Sequence, residues 1–294
     1  MNSNHLFSIA GHVVGICFSP SDINDISLLP SFAPFRWTSA ETVKPLLTLC
    51  VDDTLQPEKE RKLLRNFDTG NGNTLVYQLP DKGYQFIIRD TKDRDCSLLI
   101  ANADFSECRC ALNGDVTMRQ FGLNNALMLC YAFAGSHYQT LLVHASCIAY
   151  NGCGYPFIAK SGTGKSTHSS LWLQHIEGTE LMNDDNPVIR IIDGTPYIYG
   201  SPWSGKTPCY RNIVRPLGAI VNISRASANS IEQLGPVQAF AALLPACSSM
   251  MWDSVINDNL CNSLTTIIST TPIYTLHCLP DEAAARLCQS TIAP

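Results

Sequence analysis

The sequence predicts a mixed α/β protein of two domains, a smaller β-rich one over residues 1–118 and an α/β one over residues 119–294. Three observations carry that reading. Short apolar segments alternate with turn clusters up to residue 118. From Phe121 the apolar runs lengthen to helical size and alternate with strands. The stretch FIAKSGTGKSTHSSLWL, residues 157–173, sets a glycine-rich turn between a strand and a helix.

Composition bounds the rest. The 294 residues are 45% hydrophobic and 15% charged, enough apolar material for a core in each domain and too little polarity for long disorder. A net charge of −5, with 20 scattered Lys and Arg, excludes nucleic acid as a general partner. The N-terminal MNSNHLFSIAGHVVGICF has neither a basic leader nor a long apolar segment, and no run reaches the ~20 apolar residues of a membrane span. A cytoplasmic protein with no membrane partner is expected. Thirteen cysteines cannot all pair internally. The close pairs Cys108/Cys110 and Cys147/Cys153 lack the C-x2-C spacing of zinc sites, so they read as reduced, small apolar residues and no metal is assigned to them.

In the first domain FSIAG (7–11), VVGICF (13–18), TLVYQL (74–79), YQFIIRD (84–90), SLLIA (97–101) and CRCAL (108–112) read as strands. The turns between them are PSD, DTGNGN, PDKG and NGD. LQPEKERKLLRN (55–66) reads either as a short helix opening at Pro57 or as a charged loop.

The second domain begins with a mostly buried helix from Phe121, closed by Gly135. TLLVHASCIAY runs into the turn dipeptide Asn151-Gly152, and the chain returns through residues 155–159 as a strand. The following turn fits Gly/Ala-x-x-x-x-Gly-Lys-Ser/Thr with Ala159 in first place. A helix then runs from Lys165 to about Glu177 and stops at Gly178. Strand, glycine turn and helix are the context in which backbone N–H groups and a helix N-terminus, with roughly half a positive charge, face a phosphate. Ser161, Gly162, Thr163, Gly164, Lys165, Ser166 and Thr167 are the expected nucleotide-binding set. Lys165 would reach the β and γ phosphates of ATP and Ser166 would ligate Mg2+. The Lys165 side chain is expected in solvent or on phosphate. The other reading is a plain glycine turn capped by Ser161.

LMNDDNPVI places Asp184 and Asp185 at the end of the next strand. Adjacent residues there point apart, so one carboxylate can face a metal and the other an incoming hydroxyl, the division that phosphoryl transfer needs. Asp-Asp-Asn-Pro is also ordinary turn chemistry, and His144, 21 residues before Lys165, is also an ordinary strand histidine.

LLVHAS with His144, the Ser-Gly-x-Gly-Lys-Ser core and the Asp184-Asp185 pair, in that order and spacing, resemble the catalytic half of HPr kinase/phosphatase. That bacterial serine kinase shares its P-loop fold with phosphoenolpyruvate carboxykinase, and the resemblance covers roughly residues 120–294. It implies a phosphoenolpyruvate carboxykinase-like domain, ATP and Mg2+, Asp185 as proton acceptor, Asp184 with Ser166 at the metal, and a site role for His144.

The pattern also departs from that family. Its Glu-Ile-Arg-Gly stretch, whose glutamate helps bind metal, is matched only by Tyr197-Ile-Tyr-Gly, and GSPWSGKTPCYRN follows. A Pro-Trp-x-Gly-Lys stretch looks like the relatives of HPr kinase found beside peptide-modification genes. Lys206 reads either as a cation for the transferred phosphoryl group or as a solvated lysine. Arg211 and Arg215 are further cations of the region, Trp203 is a packing anchor, and Asp193 is a substitute for the missing carboxylate. Residues 216–225 and 271–278 read as strands, and residues 235–246, 250–269 and 280–290 as helices.

The expected function is an ATP- and Mg2+-dependent kinase acting on a hydroxyl, of Ser or Thr in a peptide or small protein or of a small molecule. A non-catalytic nucleotide-binding module with a partner-binding β domain is the alternative. A carboxykinase is disfavoured by chain length and by the Lys, His and Asp metal ligands it would need. Homo-oligomerisation is left open.

Overall fold

The computed structural model describes residues 3–41, 43–68, 72–205 and 207–293. The chain divides into two units, 1–135 and 136–294.

The first unit is one eight-stranded sheet with a helix. Its strands are β1 (Ser3–Ile9), β2 (His12–Phe18), β3 (Leu47–Val51), β4 (Lys62–Asp68), β5 (Asn73–Gln78), β6 (Tyr84–Arg89), β7 (Asp95–Ala101) and β8 (Glu107–Leu112). They lie in the order β1-β2-β3-β8-β7-β6-β5-β4. The β3 pairings to β2 and β8 are parallel, and the other neighbours pair antiparallel. Helix α1 (Val116–Ser136) packs within this unit. Tyr131 donates its hydroxyl hydrogen to the Ile9 carbonyl at 3.0 Å, and Phe133 meets Phe105 at 5.1 Å between ring centres. Gly122 lets the helix press onto β7, where a Cβ would fall 2.8 Å from the Cys96 carbonyl oxygen.

Two expectations are corrected here. The boundary expected after residue 118 falls after Gly135, because the apolar face of α1 is buried in the first sheet. The helix reading of residues 57–66 gives way to β4: a short, charged helix cannot offset its nucleation cost, whereas pairing to β5 from Lys62↔Gln78 to Asp68↔Asn73 satisfies the backbone. β4 is an edge strand, mostly exposed, and carries the lysine and arginine typical of protected edges. The turn expected over residues 68–73 lies partly outside the described residues.

The second unit stacks two sheets. The six-stranded one contains β10 (Ala145–Tyr150), β11 (Cys153–Ile158), β12 (Glu180–Asp185), β16 (Ile220–Arg225), β17 (Ser230–Gln233) and β18 (Ile273–Cys278), in the order β12-β10-β11-β16-β18-β17. The four-stranded one contains β9 (Thr140–Leu142), β13 (Val188–Ile192), β14 (Thr195–Tyr199) and β15 (Val214–Pro216), in the order β15-β14-β13-β9. Helices α3 (Pro236–Leu243) and α4 (Ser254–Thr270) share a core with Met182, Ile189 and Ile198. Helices α2 (Lys165–His175) and α5 (Glu282–Ile292) cover the other face of the six-stranded sheet through Trp172, Ile176, Ala284 and Cys288. Each fully buried aliphatic side chain in these layers contributes about 1.5–3 kcal/mol. All thirteen cysteines are free. No helix of the described residues is long and apolar enough to cross a membrane.

Trp172 is wholly buried among Tyr150, Tyr155 and Phe157, and its indole N–H donates to Nε2 of His168 at 3.1 Å. Burial pushes the His168 pKa down to about 4. The unfolded chain, with its histidine near 6.5, therefore takes up the proton first as the pH falls. The stability that neutral His168 provides is whole above about pH 6.5 and lost as pH falls toward 4, a change on the order of 3 kcal/mol. Thermal melts across that range should fall steeply for the native protein and less for His168→Gln, which keeps an acceptor for Trp172. Equal slopes would assign the acid loss to other groups.

Candidate functional site

The site forms where two neighbouring strands leave the six-stranded sheet together. The chain passes from β9 to β10 at His144 and from β12 to β13 through Asp185, Asn186 and Pro187. Ala145 pairs with Asp185 and Ser146 with Asp184, and the Val143 amide donates to the Pro187 carbonyl at 3.1 Å. His144 and the acidic pair therefore stand side by side at one sheet end.

The glycine turn that joins β11 to α2 reaches the same place. Gly162 has φ +76 and Gly164 φ +129, and no atom lies within 4 Å of a Cβ built at Gly162, so conformation rather than crowding calls for glycine there. α2 has Gly164 at its N-cap and no side-chain cap, so Ser161 does not cap it. Its first-turn N–H groups therefore stand at the turn without a side-chain acceptor. Ser146 and Ser169 share a buried hydroxyl contact of 2.6 Å that ties β10 to α2.

Lys165 is buried, which excludes the solvent alternative and leaves the phosphate one: 9% of its surface is exposed and Nζ lies 2.8 Å from Nε2 of His144. The ammonium has only hydrogens to offer, so Nε2 accepts and Nδ1 carries the imidazole proton toward Oδ1 of Asp185, 3.1 Å away. Burial lowers the Lys165 pKa, and the charges of Asp185 and Asp184 oppose that shift. Beside this chain, Ser166 donates its hydroxyl to Oδ1 of Asp184 at 2.8 Å. Asp184 is buried against Ser166, and Asp185 is partly open with His144 and Asn186 as its partners.

Asp185 holds a backbone φ of +152, a conformation that costs a non-glycine residue about 1–3 kcal/mol. Several contacts hold it there. The Gly205 amide donates to the Asp184 carbonyl, and the Asn186 side chain donates to Oδ2 of Asp185 at 2.7 Å. Asn183, fully buried, accepts from the Asn186 amide at 2.9 Å and donates to the Trp203 carbonyl at 3.0 Å. Ser201 donates to the Asn186 carbonyl at 2.6 Å.

Other candidates fall elsewhere. Trp203 is buried and anchors this loop. Lys206 lies outside the described residues. Arg211 is spent at the opposite end of β12, on the Leu181 carbonyl and Glu180. Arg215 donates to the Val214 carbonyl within β15. Asp193 sits in the Asp193-Gly194 turn, separated from Asp185 by the length of β13, about 14 Å at 3.4 Å per residue. Tyr197 and Tyr199 lie in β14, and Tyr199 pairs with Val188.

Sequence reasoning missed Arg225, whose guanidinium donates to the carbonyls of Gly162 and Thr163 and so fixes the glycine turn. It ends a predicted strand, but nothing in one sequence links it to a turn 62 residues upstream. Asn183 and Ser201 were missed because single polar residues carry no spacing signal. The carboxylate and hydroxyl of Asp184 and Ser166 are hard oxygen donors that suit Mg2+, which takes one or two protein ligands and completes its shell with water and phosphate. Among the described residues no cluster of three or more His, Cys, Asp and Glu offers a closed metal cage.

The class of protein that fold and site define is a mixed α/β chain with a strand, glycine turn and helix facing an acidic pair. Among solved structures, it is similar to the Hpr(Ser) kinase/phosphatase from Coxiella burnetii at 8% identity and a TM-score of 0.32, over 51% of this chain and 95% of that one. No protein-family model and no curated protein matches the sequence.

Lys165→Met keeps the buried stem and removes the charge. The variant should unfold at or slightly above the native temperature while ATP affinity, measured by calorimetry, falls more than tenfold. Unchanged affinity would remove Lys165 from the phosphate site.

Proposed function

We propose that the second unit binds ATP with Mg2+ on the glycine turn and transfers the γ-phosphoryl group to a hydroxyl. The acceptor is a Ser or Thr of a peptide or small protein, or a small hydroxyl compound. The observation that carries this reading is the Lys165–His144–Asp185 chain beside the Ser166–Asp184 pair.

Lys165 moves from His144 to the β and γ phosphates when nucleotide arrives, exchanging an imidazole nitrogen for anionic oxygens. Ser166 and Asp184 would hold Mg2+, which would supply charge neutralisation to the phosphates. Asp185, its two oxygens fixed by His144 and Asn186, accepts the proton of the incoming hydroxyl. A bond forms between that oxygen and the γ phosphorus, the bond to the β-phosphate oxygen breaks, and ADP leaves.

A second reading, a nucleotide-binding module without catalysis whose β-rich unit engages a partner, is favoured by the missing glutamate at Tyr197-Ile-Tyr-Gly. Single-turnover transfer of labelled γ-phosphate to protein, peptide and serine pools separates the two: transfer supports the kinase, and tight ATP binding without transfer supports the module.

Asp185→Asn should retain ATP binding and lower transfer by about a hundredfold or more, the scale of a lost general base. The same pattern in Asp184→Asn alone would exchange their roles. Forward transfer should also outlast reversal, because ATP brings its own ligands to Mg2+ whereas phosphorolysis needs the metal held after nucleotide has left. A phosphorylated acceptor incubated with Mg2+ and inorganic phosphate should release no pyrophosphate. Prompt release that depends on Asp185 would overturn this.

A further inference from the structure

Cys17 of β2 and Cys50 of β3 are register partners on two adjacent parallel strands. Register partners project their side chains to the same face, and neighbouring strands run about 4.8 Å apart, inside the ~4.4–6.8 Å Cα separation that a disulfide spans. The face in question is the one turned away from α1. Leu49, one residue earlier in β3, pairs with Cys108, and the Cys108 thiol meets Cys130 of α1. Strand alternation therefore puts Cys50 on the opposite side, where with Thr48, Ile100 and Arg109 it lines a broad cavity of about 1380 Å³. We propose that Cys17 and Cys50 form a reversible disulfide, a modification site that low-molecular-weight disulfides reach through this cavity.

Pairing and access together single out these two thiols. Among the strand pairings of the described residues no other joins two cysteines: Cys153 faces Tyr150, Cys278 faces Arg225, and Cys147 lies between Pro156 and Asn183. Cys108 also borders the cavity, but its Sγ donates to the Phe105 carbonyl at 3.4 Å. Cys17 is 8% exposed and Cys50 is half-buried, so Cys50 is the thiol that a reagent meets first. Burial, and then the hydrogen bond with Cys17, push the Cys50 pKa up to about 11. Cys50 is thus protonated at neutral pH with its partner already beside it, and the pair stays reduced until an exchanging disulfide arrives.

Two exchange steps complete the reaction. The Cys50 sulfur attacks one sulfur of the reagent disulfide, the reagent's S–S bond breaks, and the first reagent thiol leaves with the proton of Cys50. The Cys17 sulfur then attacks the Cys50 sulfur, the mixed disulfide breaks, and the second reagent thiol leaves with the proton of Cys17. The pair is oxidised by two electrons and the reagent is reduced by two. The bond fastens the long β2–β3 connection at its base, and small thiols reverse it from the cavity side.

The test incubates the reduced full chain with oxidised glutathione, quenches with acid, alkylates the remaining thiols under denaturing conditions and maps tryptic peptides by mass spectrometry. Cleavage after Arg36 and Lys59, with Lys44 protected by Pro45, puts Cys17 in peptide 1–36 and Cys50 in peptide 37–59, each with no other cysteine. The expected product is 1–36 joined to 37–59, two hydrogens lighter than their sum, in most of the chains and lost on adding dithiothreitol. Cys17→Ser should stop with glutathione on Cys50, and Cys50→Ser should leave Cys17 as a free thiol, both with the circular dichroism of the native chain. Both thiols still alkylated on the native chain would overturn the proposal. So would glutathione retained on Cys50 of the native chain, or Cys50 joined to Cys108 instead. The native-chain result decides the matter even where a variant fails to fold.

Discussion

The second unit depends on one constraint: two adjacent strands of a sheet must leave it at the same level. β10 pairs with β12 in the six-stranded sheet, and their continuations β9 and β13 pair in the four-stranded one, so the chain crosses between sheets twice, side by side. A crossing interrupts the ladder and leaves backbone groups to be satisfied locally. Here the Val143 amide finds the Pro187 carbonyl, and the His144 amide finds that of Ala246. The residues at the two crossings, His144 and Asp185, are thereby fixed within hydrogen-bonding distance of each other. Asp185 ends β12 and His144 precedes β10, so both side chains stand at strand ends beside the glycine turn.

The crossing at Asp185 is strained, and the polar residues around it offset the strain. At about 0.5–1.5 kcal/mol net per hydrogen bond, the contacts of Asn183, Asn186, Ser201 and the Gly205 amide are of the size needed to offset the about 1–3 kcal/mol that the backbone conformation costs. Asn183 suits its buried place because one side chain supplies both an acceptor for the turn and donors for the loop carbonyls. An aspartate would set its oxygens against those carbonyls, and a leucine would leave them unpaired. The Trp203 loop is thus part of the acidic turn's support, which gives a structural reason for its composition independent of any contact with substrate.

Electrostatics at the turn follows from the same geometry. Lys165 is buried at a helix N-terminus, where the macrodipole and desolvation both disfavour its charge, and the two carboxylates at the strand end favour it. Its one side-chain partner, Nε2 of His144, leaves the ammonium with further donors. An anion at the turn would meet those donors together with the first-turn N–H groups of α2, while Arg225 holds the turn's carbonyls away from it.

By itself the sequence determined the mixed α/β class and most of its strands and helices, because hydrophobic period and turn residues act locally. The glycine turn was legible for the same reason: Gly162 and Gly164 occupy conformations that favour glycine, so the motif is written in consecutive residues. The tertiary structure alone decided that α1 belongs to the first sheet, since its apolar residues fit either partner until Gly122 meets Cys96. It alone made residues 62–68 a strand, because only pairing with β5 outweighs a helical composition. It decided that Lys165 is buried against His144, that Arg211 and Asp193 stand apart from the site, and that Arg225, Asn183 and Ser201 belong to it. These facts depend on pairings between residues tens of positions apart, and a single sequence carries no signal of which distant residue a side chain will meet.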